Sequence, residues 1–222
     1  GSTSADSTPE TTIPAVWQRP ADMSSLIDAL AASPSASAMI DTGDISALGF
    51  SLGGLTALSL AGAQVHAEKL AQYCEDDPGA MTCVWFEKGN PLIPGHVDLR
   101  QIDKQRFEAK FLDPRIQRVV AIDPAFATTY DLTGLKQVTA KVQIINLGTG
   151  DPLSAGVRAD HIAANIPNAH YDSIEGANHF DFLGECKRLG WFYVWMEGDD
   201  PVCTETGNRS RAELHEEIAD KI

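Results

Sequence analysis

The sequence predicts an α/β fold with a mainly parallel sheet, on three observations. Short apolar runs of strand length recur along the chain with helical patterns between them. Such runs stop at clusters of turn residues, Asp123-Pro124 after one and Gly148-Thr149-Gly150-Asp151-Pro152 after another. One run passes through a tight turn, Gly49-Phe50-Ser51-Leu52-Gly53, straight into a stretch rich in Ala and Leu.

Residues 1–18 read as an extended polar segment, and residues 1–12 hold no signal-peptide pattern. A first helix follows Arg19-Pro20, because Met23, Leu26, Ile27 and Leu30 recur at i, i+3, i+4 and i+7. Proline suits its first turn. Ala32-Ser33-Pro34-Ser35 ends it, Asp41-Thr42-Gly43-Asp44 makes a turn, and residues 45–50 form a strand. A second helix is expected over about 53–67. Residues 68–115 then break the rhythm, with two cysteines, several Gly and Pro, and no clean strand. They read as a cap-like insertion whose Trp85-Phe86 pair either packs beneath it or lines an acyl site. Strands are expected at 118–122, 141–147 and 169–174, with a helix over about 155–165. Ser210-Arg211-Ala212-Glu213 opens a last helix with a capping box, carrying Leu214, Ile218 and Ile222 on its apolar side. With no internal repeat, residues 1–222 read as a single domain.

Composition narrows the function. With 31 acidic against 17 basic residues the formal net charge is −14, which repels phosphate backbones and anionic headgroups. Nucleic-acid binding is therefore set aside. No apolar run reaches the roughly 18 residues that a membrane span needs. The four cysteines, Cys74, Cys83, Cys186 and Cys203, have no C-x2-C spacing, which speaks against a zinc site. They are either free thiols of a reducing compartment or local pairs, Cys74–Cys83 and Cys186–Cys203, in an oxidising one. The second reading is adopted. Each bond would contribute about 2–3 kcal/mol through loop closure.

The chemistry centres on Ser51. A serine between a strand and a helix sits in a strained turn that lifts its hydroxyl above the sheet edge, as a nucleophile elbow requires. Gly49 and Gly53 are expected to remove the Cβ atoms that would clash in so tight a bend. The backbone N–H of Leu52, at the helix start, is a donor for an oxyanion. Serine needs a base, and among six histidines His179 follows the last strand in Gly176-Ala177-Asn178-His179-Phe180. The acid that orients it is either Asp123, after the strand ending at Ile122, or Asp151, after the strand ending at Leu147. Spacing alone favours Asp151.

These segments together resemble the later part of α/β-hydrolases known as predicted dienelactone hydrolases, a group related to platelet-activating-factor acetylhydrolases. The likeness is carried by Trp17-Gln18-Arg19-Pro20-Ala21-Asp22-Met23, Leu48-Gly49-Phe50-Ser51-Leu52-Gly53-Gly54, Ala121-Ile122-Asp123-Pro124, Gly176-Ala177-Asn178-His179-Phe180-Asp181-Phe182-Leu183 and the tail from Cys186 to Cys203. It covers most of the chain beyond residue 15. It implies a serine hydrolase acting on carboxylic esters of small molecules with no need of a metal or cofactor, a periplasmic or secreted location, and Asp123 in preference to Asp151. True dienelactone hydrolases use a cysteine nucleophile, where this sequence has Ser51. The resemblance also implies strands ahead of the one at 45–50 that this sequence lacks. The expectation is therefore a C-terminal part completed by an N-terminal chain of the same precursor, or a shortened chain that pairs with a second copy. The competing functional readings are a non-catalytic binding or assembly module and an acyltransferase using the same residues.

Overall fold

The computed structural model describes residues 15–90, 93–94, 97–150, 153–197, 200–204 and 209–222. In chain order, helices α1 (Gln18–Ala32) and α2 (Pro34–Ser37) lead to strand β1 (Ile45–Phe50), and helix α3 (Leu52–Leu60) follows it at once. Helices α4 (Ala67–Asp76) and α5 (Met81–Lys88), the short strands β2 (Gly89–Asn90) and β3 (Ile93–Pro94), and helix α6 (Lys104–Phe107) come next. Then β4 (Ile116–Ile122), α7 (Leu132–Leu135), β5 (Lys141–Leu147), α8 (Asp160–Ala163) and β6 (Ala169–Ile174) alternate. The chain ends with α9 (Gly190–Glu197) and α10 (Arg211–Lys221).

The main sheet has the order β1-β4-β5-β6 and every pair in it is parallel. Register brings the carboxyl ends level: Phe50 lies beside Ile122, Ile122 beside Ile145, and Leu147 beside Ile174. Residues that follow these ends therefore meet along one rim, the place where open parallel sheets bind ligands.

Alternation divides the strands between two layers. Val119, Ala121, Val142 and Ile144 face a large buried cluster with Leu55 and Leu58 of α3. Ile122, Ile145, Leu147 and Ile174 face the other way, against Leu214 and Ile218 of α10. On this second side cover thins toward β1, where Leu48 is 52% exposed. No strand of the described residues pairs with the outer side of β1. No helix among them is long and apolar enough to cross a membrane.

Several boundaries differ from expectation. The helix after Ser51 stops at Leu60 because Gly62 adopts a positive φ of 97° and a new helix begins at Ala67. The helix expected over 155–165 is regular only at Asp160–Ala163, with turns on either side. Of the apolar stripe on α1, only Ile27 is buried, while Met23 and Leu26 are exposed. Ile222 is likewise exposed, whereas the Ser210–Glu213 capping box forms as expected. Within 68–115, Leu70, Cys74, Cys83, Leu99 and Phe107 join the main core cluster. These residues are thus part of the core, and Met81 and Thr82 also reach the rim near Ser51. The Trp85 and Phe86 side chains lie outside the described residues.

Cys74 bonds to Cys83 and Cys186 to Cys203, the local pairing. Two disulfides are consistent with an extracellular or periplasmic protein. Between the second pair lies α9, a helix the sequence reading missed. It exposes Trp191, Phe192, Tyr193, Trp195 and Met196.

Candidate active site

Ser51 joins β1 to α3 in a conformation that few L-residues adopt, with φ 54° and ψ −119°. Neighbours over-determine it: its N–H donates to the Ile122 carbonyl at 3.0 Å, and its own carbonyl accepts from Ala125 and Leu55. The glycines have unequal roles. A Cβ on Gly49 would lie 2.0 Å from the Gly53 carbonyl oxygen, so the strand end can cross the helix start only without one. Gly54 is also tight, 2.9 Å from Pro124 Cα, whereas a Cβ on Gly53 would meet nothing within 4 Å. The expectation that both motif glycines relieve a clash therefore holds for Gly49 alone, with Gly54 the second constrained position.

Across the rim, Asp123 begins the turn after β4, also at positive φ (42°), and its N–H donates to the Ile145 carbonyl. Its carboxylate is fully buried. Oδ1 accepts from the Asn146 side-chain amide at 2.7 Å and from the Leu147 N–H at 2.8 Å, and Oδ2 lies 2.9 Å from His179 Nδ1. A carboxylate so placed accepts, so Nδ1 carries the imidazole proton and Nε2 is left as an acceptor. Nε2 lies 3.2 Å from Ser51 Oγ, which donates to it. The three side chains form one hydrogen-bonded line. Asp151 lies outside the described residues.

His179 sits in a 3-10 turn, His179–Phe182, and its ring packs on Phe50 with centroids 4.5 Å apart. Phe182 also stacks on Phe50, with centroids 4.8 Å apart. A cleft of about 210 Å³ opens beside Ser51, lined by Leu52, Met81, Ala125, Phe180 and Leu183 among others. Its walls are mainly apolar side chains. Leu52 is the first residue of α3, so its N–H has no partner four residues back within the helix. His66, His161, His170 and His215 meet Glu108, the Ala127 carbonyl, Asp172 and the Asp181 carbonyl respectively. No group of three or more His, Cys, Asp or Glu side chains among the described residues is placed to hold a metal ion.

Three supporting residues escaped the sequence reading. Asn146 is completely buried: its amide nitrogen also donates to the Val157 carbonyl, and its oxygen accepts from the Ala159 N–H and the Tyr171 hydroxyl. Its signal was an amide inside the apolar run Ile144-Ile145-Asn146-Leu147, where a polar side chain must have partners. Asp181 and Arg211, both buried, lie behind the His179 turn. The arrangement is equipped to activate a hydroxyl by removing its proton and to return that proton to a leaving group. Scans against protein-family models, curated proteins and solved structures found nothing that matches the chain.

Proposed function

We propose that the chain is a serine hydrolase of the α/β-hydrolase type, related to the predicted dienelactone hydrolases, that cleaves carboxylic esters. The observation that carries this reading is the unbroken line Asp123 Oδ2–His179 Nδ1, 2.9 Å, and His179 Nε2–Ser51 Oγ, 3.2 Å, at the carboxyl ends of neighbouring parallel strands. Ser51 Oγ attacks the ester carbonyl carbon while its proton passes to Nε2. The carbonyl electron pair moves to oxygen, and the Leu52 N–H is the donor at hand for that oxyanion. The pair then returns, the bond to the alcohol oxygen breaks, and Nε2–H protonates the departing alkoxide. Water repeats the sequence on the acyl-enzyme, releasing the carboxylic acid and restoring Ser51. Asp123 keeps the Nδ1 proton in place and stabilises the transient imidazolium. The two disulfides support the further proposal that the protein works in the periplasm or outside the cell.

The test is an intact mass spectrum before and after exposure to a fluorophosphonate, with hydrolysis of p-nitrophenyl acetate measured alongside. The expected result is a single adduct on Ser51, none on Ser51→Ala, and a loss in that variant of about 10³-fold or more in kcat. An unlabelled wild-type chain, or a Ser51→Ala protein as active as wild type, would overturn the reading.

A further inference from the structure

The turn that carries His179 is braced from behind by a buried charge pair, and we propose that Arg211, acting through Asp181, is a positioning residue for His179. The proposal rests on the hydrolase reading for its kinetic meaning, but its geometry stands apart from it.

Asp181 is fully buried and Arg211 is 2% exposed. Asp181 Oδ2 accepts from the backbone N–H and the side-chain amide of Asn178, at 2.8 and 2.7 Å, and so closes the turn around the intervening His179. Its other oxygen, Oδ1, faces the Arg211 guanidinium at 3.5 Å. That oxygen has no hydrogen bond, and neither has Arg211 Nε. The rest of the guanidinium is committed elsewhere: one terminal nitrogen donates to the Gly184 carbonyl at 3.0 Å and the other to the Val202 carbonyl at 2.9 Å. From the next turn of the same helix, His215 Nε2 meets the Asp181 carbonyl oxygen at 2.8 Å.

A single guanidinium therefore ties together the His179 turn, the chain leaving it and the segment beside Cys203. Stability alone does not explain the choice, because apolar side chains of similar volume commonly match or exceed a buried ion pair. The pair does fix one position for the turn. Without Arg211, the Asp181 carboxylate is a buried charge with no counter-ion, and the turn must shift to hydrate it or take up a proton. His179 moves with the turn. Its bonds to Asp123 and Ser51 both depend on ring position, and a displacement of about 1 Å at such a site costs about 10²-fold in rate.

The experiment compares wild type with Arg211→Met, Arg211→Lys and the double variant Asp181→Asn/Arg211→Met, with kcat counted per folded molecule. Arg211→Met is expected to lose about 10²-fold in kcat with KM unchanged, and Arg211→Lys to recover part of that loss. The double variant, which buries no unpaired charge, is expected to recover thermal stability but not kcat. Wild-type kcat per folded molecule in Arg211→Met would make Arg211 merely structural. If that variant does not fold, wild-type kcat in the double variant overturns the proposal equally.

A second readout does not depend on hydrolysis. The downfield proton resonance of His179 Nδ1–H is expected to weaken or shift in Arg211→Met and to return in Arg211→Lys. An unchanged resonance in Arg211→Met overturns the positioning role even if the wild-type chain proves inert to fluorophosphonate, a result that would end the hydrolase reading alone.

Discussion

At the scale of single residues, steric room explains more than motif identity. Gly49 is required because a Cβ would strike a backbone carbonyl at 2.0 Å, and Gly53 is not. Gly49→Ala is expected to destabilise the protein by about 3 kcal/mol. Gly53→Ala, inside α3, should instead gain up to about 1 kcal/mol of helix propensity, and urea unfolding of both variants checks the contrast. Asn146 carries a second prediction. Replacing it with Leu removes one of the two hydrogen bonds on Asp123 Oδ1 and leaves the Ala159 N–H unpartnered. We expect a loss of about 1–3 kcal/mol together with a lower kcat, measured by urea unfolding and p-nitrophenyl acetate hydrolysis. Ser51 and His179 were legible because each combines a chemically suited side chain with a position just past a strand end. Spacing alone left the acid open, since Asp123 and Asp151 both follow strands; the resemblance pointed to Asp123, whose buried carboxylate meets His179 Nδ1 at 2.9 Å. The strained turn expected at Ser51 is found, but the sequence could not reveal that Asp123 and Phe126 also take positive φ, a property imposed by neighbours rather than by residue type.

At the scale of elements, strands were easier to read than helices. The strands at 141–147 and 169–174 match to the residue, the first an apolar run closed by turn residues and the second a short stretch between Asn168 and Gly176. Helix α1 follows its predicted period, yet most of its stripe stays exposed, because periodicity names a face but not what covers it. Helix α9 was missed for a related reason: an apolar run with no polar face offers no period to detect. Trp191 and Trp195 are 59% and 72% exposed, so an aqueous collisional quencher should reach both. Trp191→Phe/Trp195→Phe should lower the readily quenched share of the fluorescence, and an unchanged quenching curve would contradict the exposure of α9. Helix α1 is fastened to the turn before β4 by polar groups. The buried Asp113 carboxylate accepts from Ser24 and, at 2.6–2.8 Å, from Arg115, which also reaches Asp28. The Arg115 hydrogen bonds hold the Asp113 carboxyl at about 2, below its usual value near 4. The folded form is thus the stronger acid, so this stabilisation is complete above about pH 4 and disappears as pH falls through about 2. Allowing for the partly exposed Arg115, Asp113→Asn should cost about 1–2 kcal/mol at pH 7. The gap from wild type should close as urea titrations are repeated from pH 5 down to pH 2.

At the scale of the whole molecule, the rim along the carboxyl ends of the sheet was legible, because parallel strands with helical crossovers bring their ends to one side. How residues 68–115 pack was not, since cysteines, glycines and prolines mark irregular chain without saying which core it joins. The outer side of β1 was expected to need a neighbour, and among the described residues no strand pairs with it. The bond between Cys186 and Cys203 changes the topology of the molecule in a way that contacts do not. It turns residues 186–203 into a covalent ring, and that ring carries exposed Lys187 and Arg188. A single trypsin cut at either site opens the ring without releasing a fragment. Ser51, Asp123 and His179 all lie upstream of the cut and Arg211 downstream, so one sulfur–sulfur bond becomes their last covalent tie. Nicked protein should migrate as one species without reductant and as two with it. The activity proposed for the chain should survive the cut and fall on reduction, further than in uncut protein reduced alongside, which would make proteolysis silent until the redox conditions change.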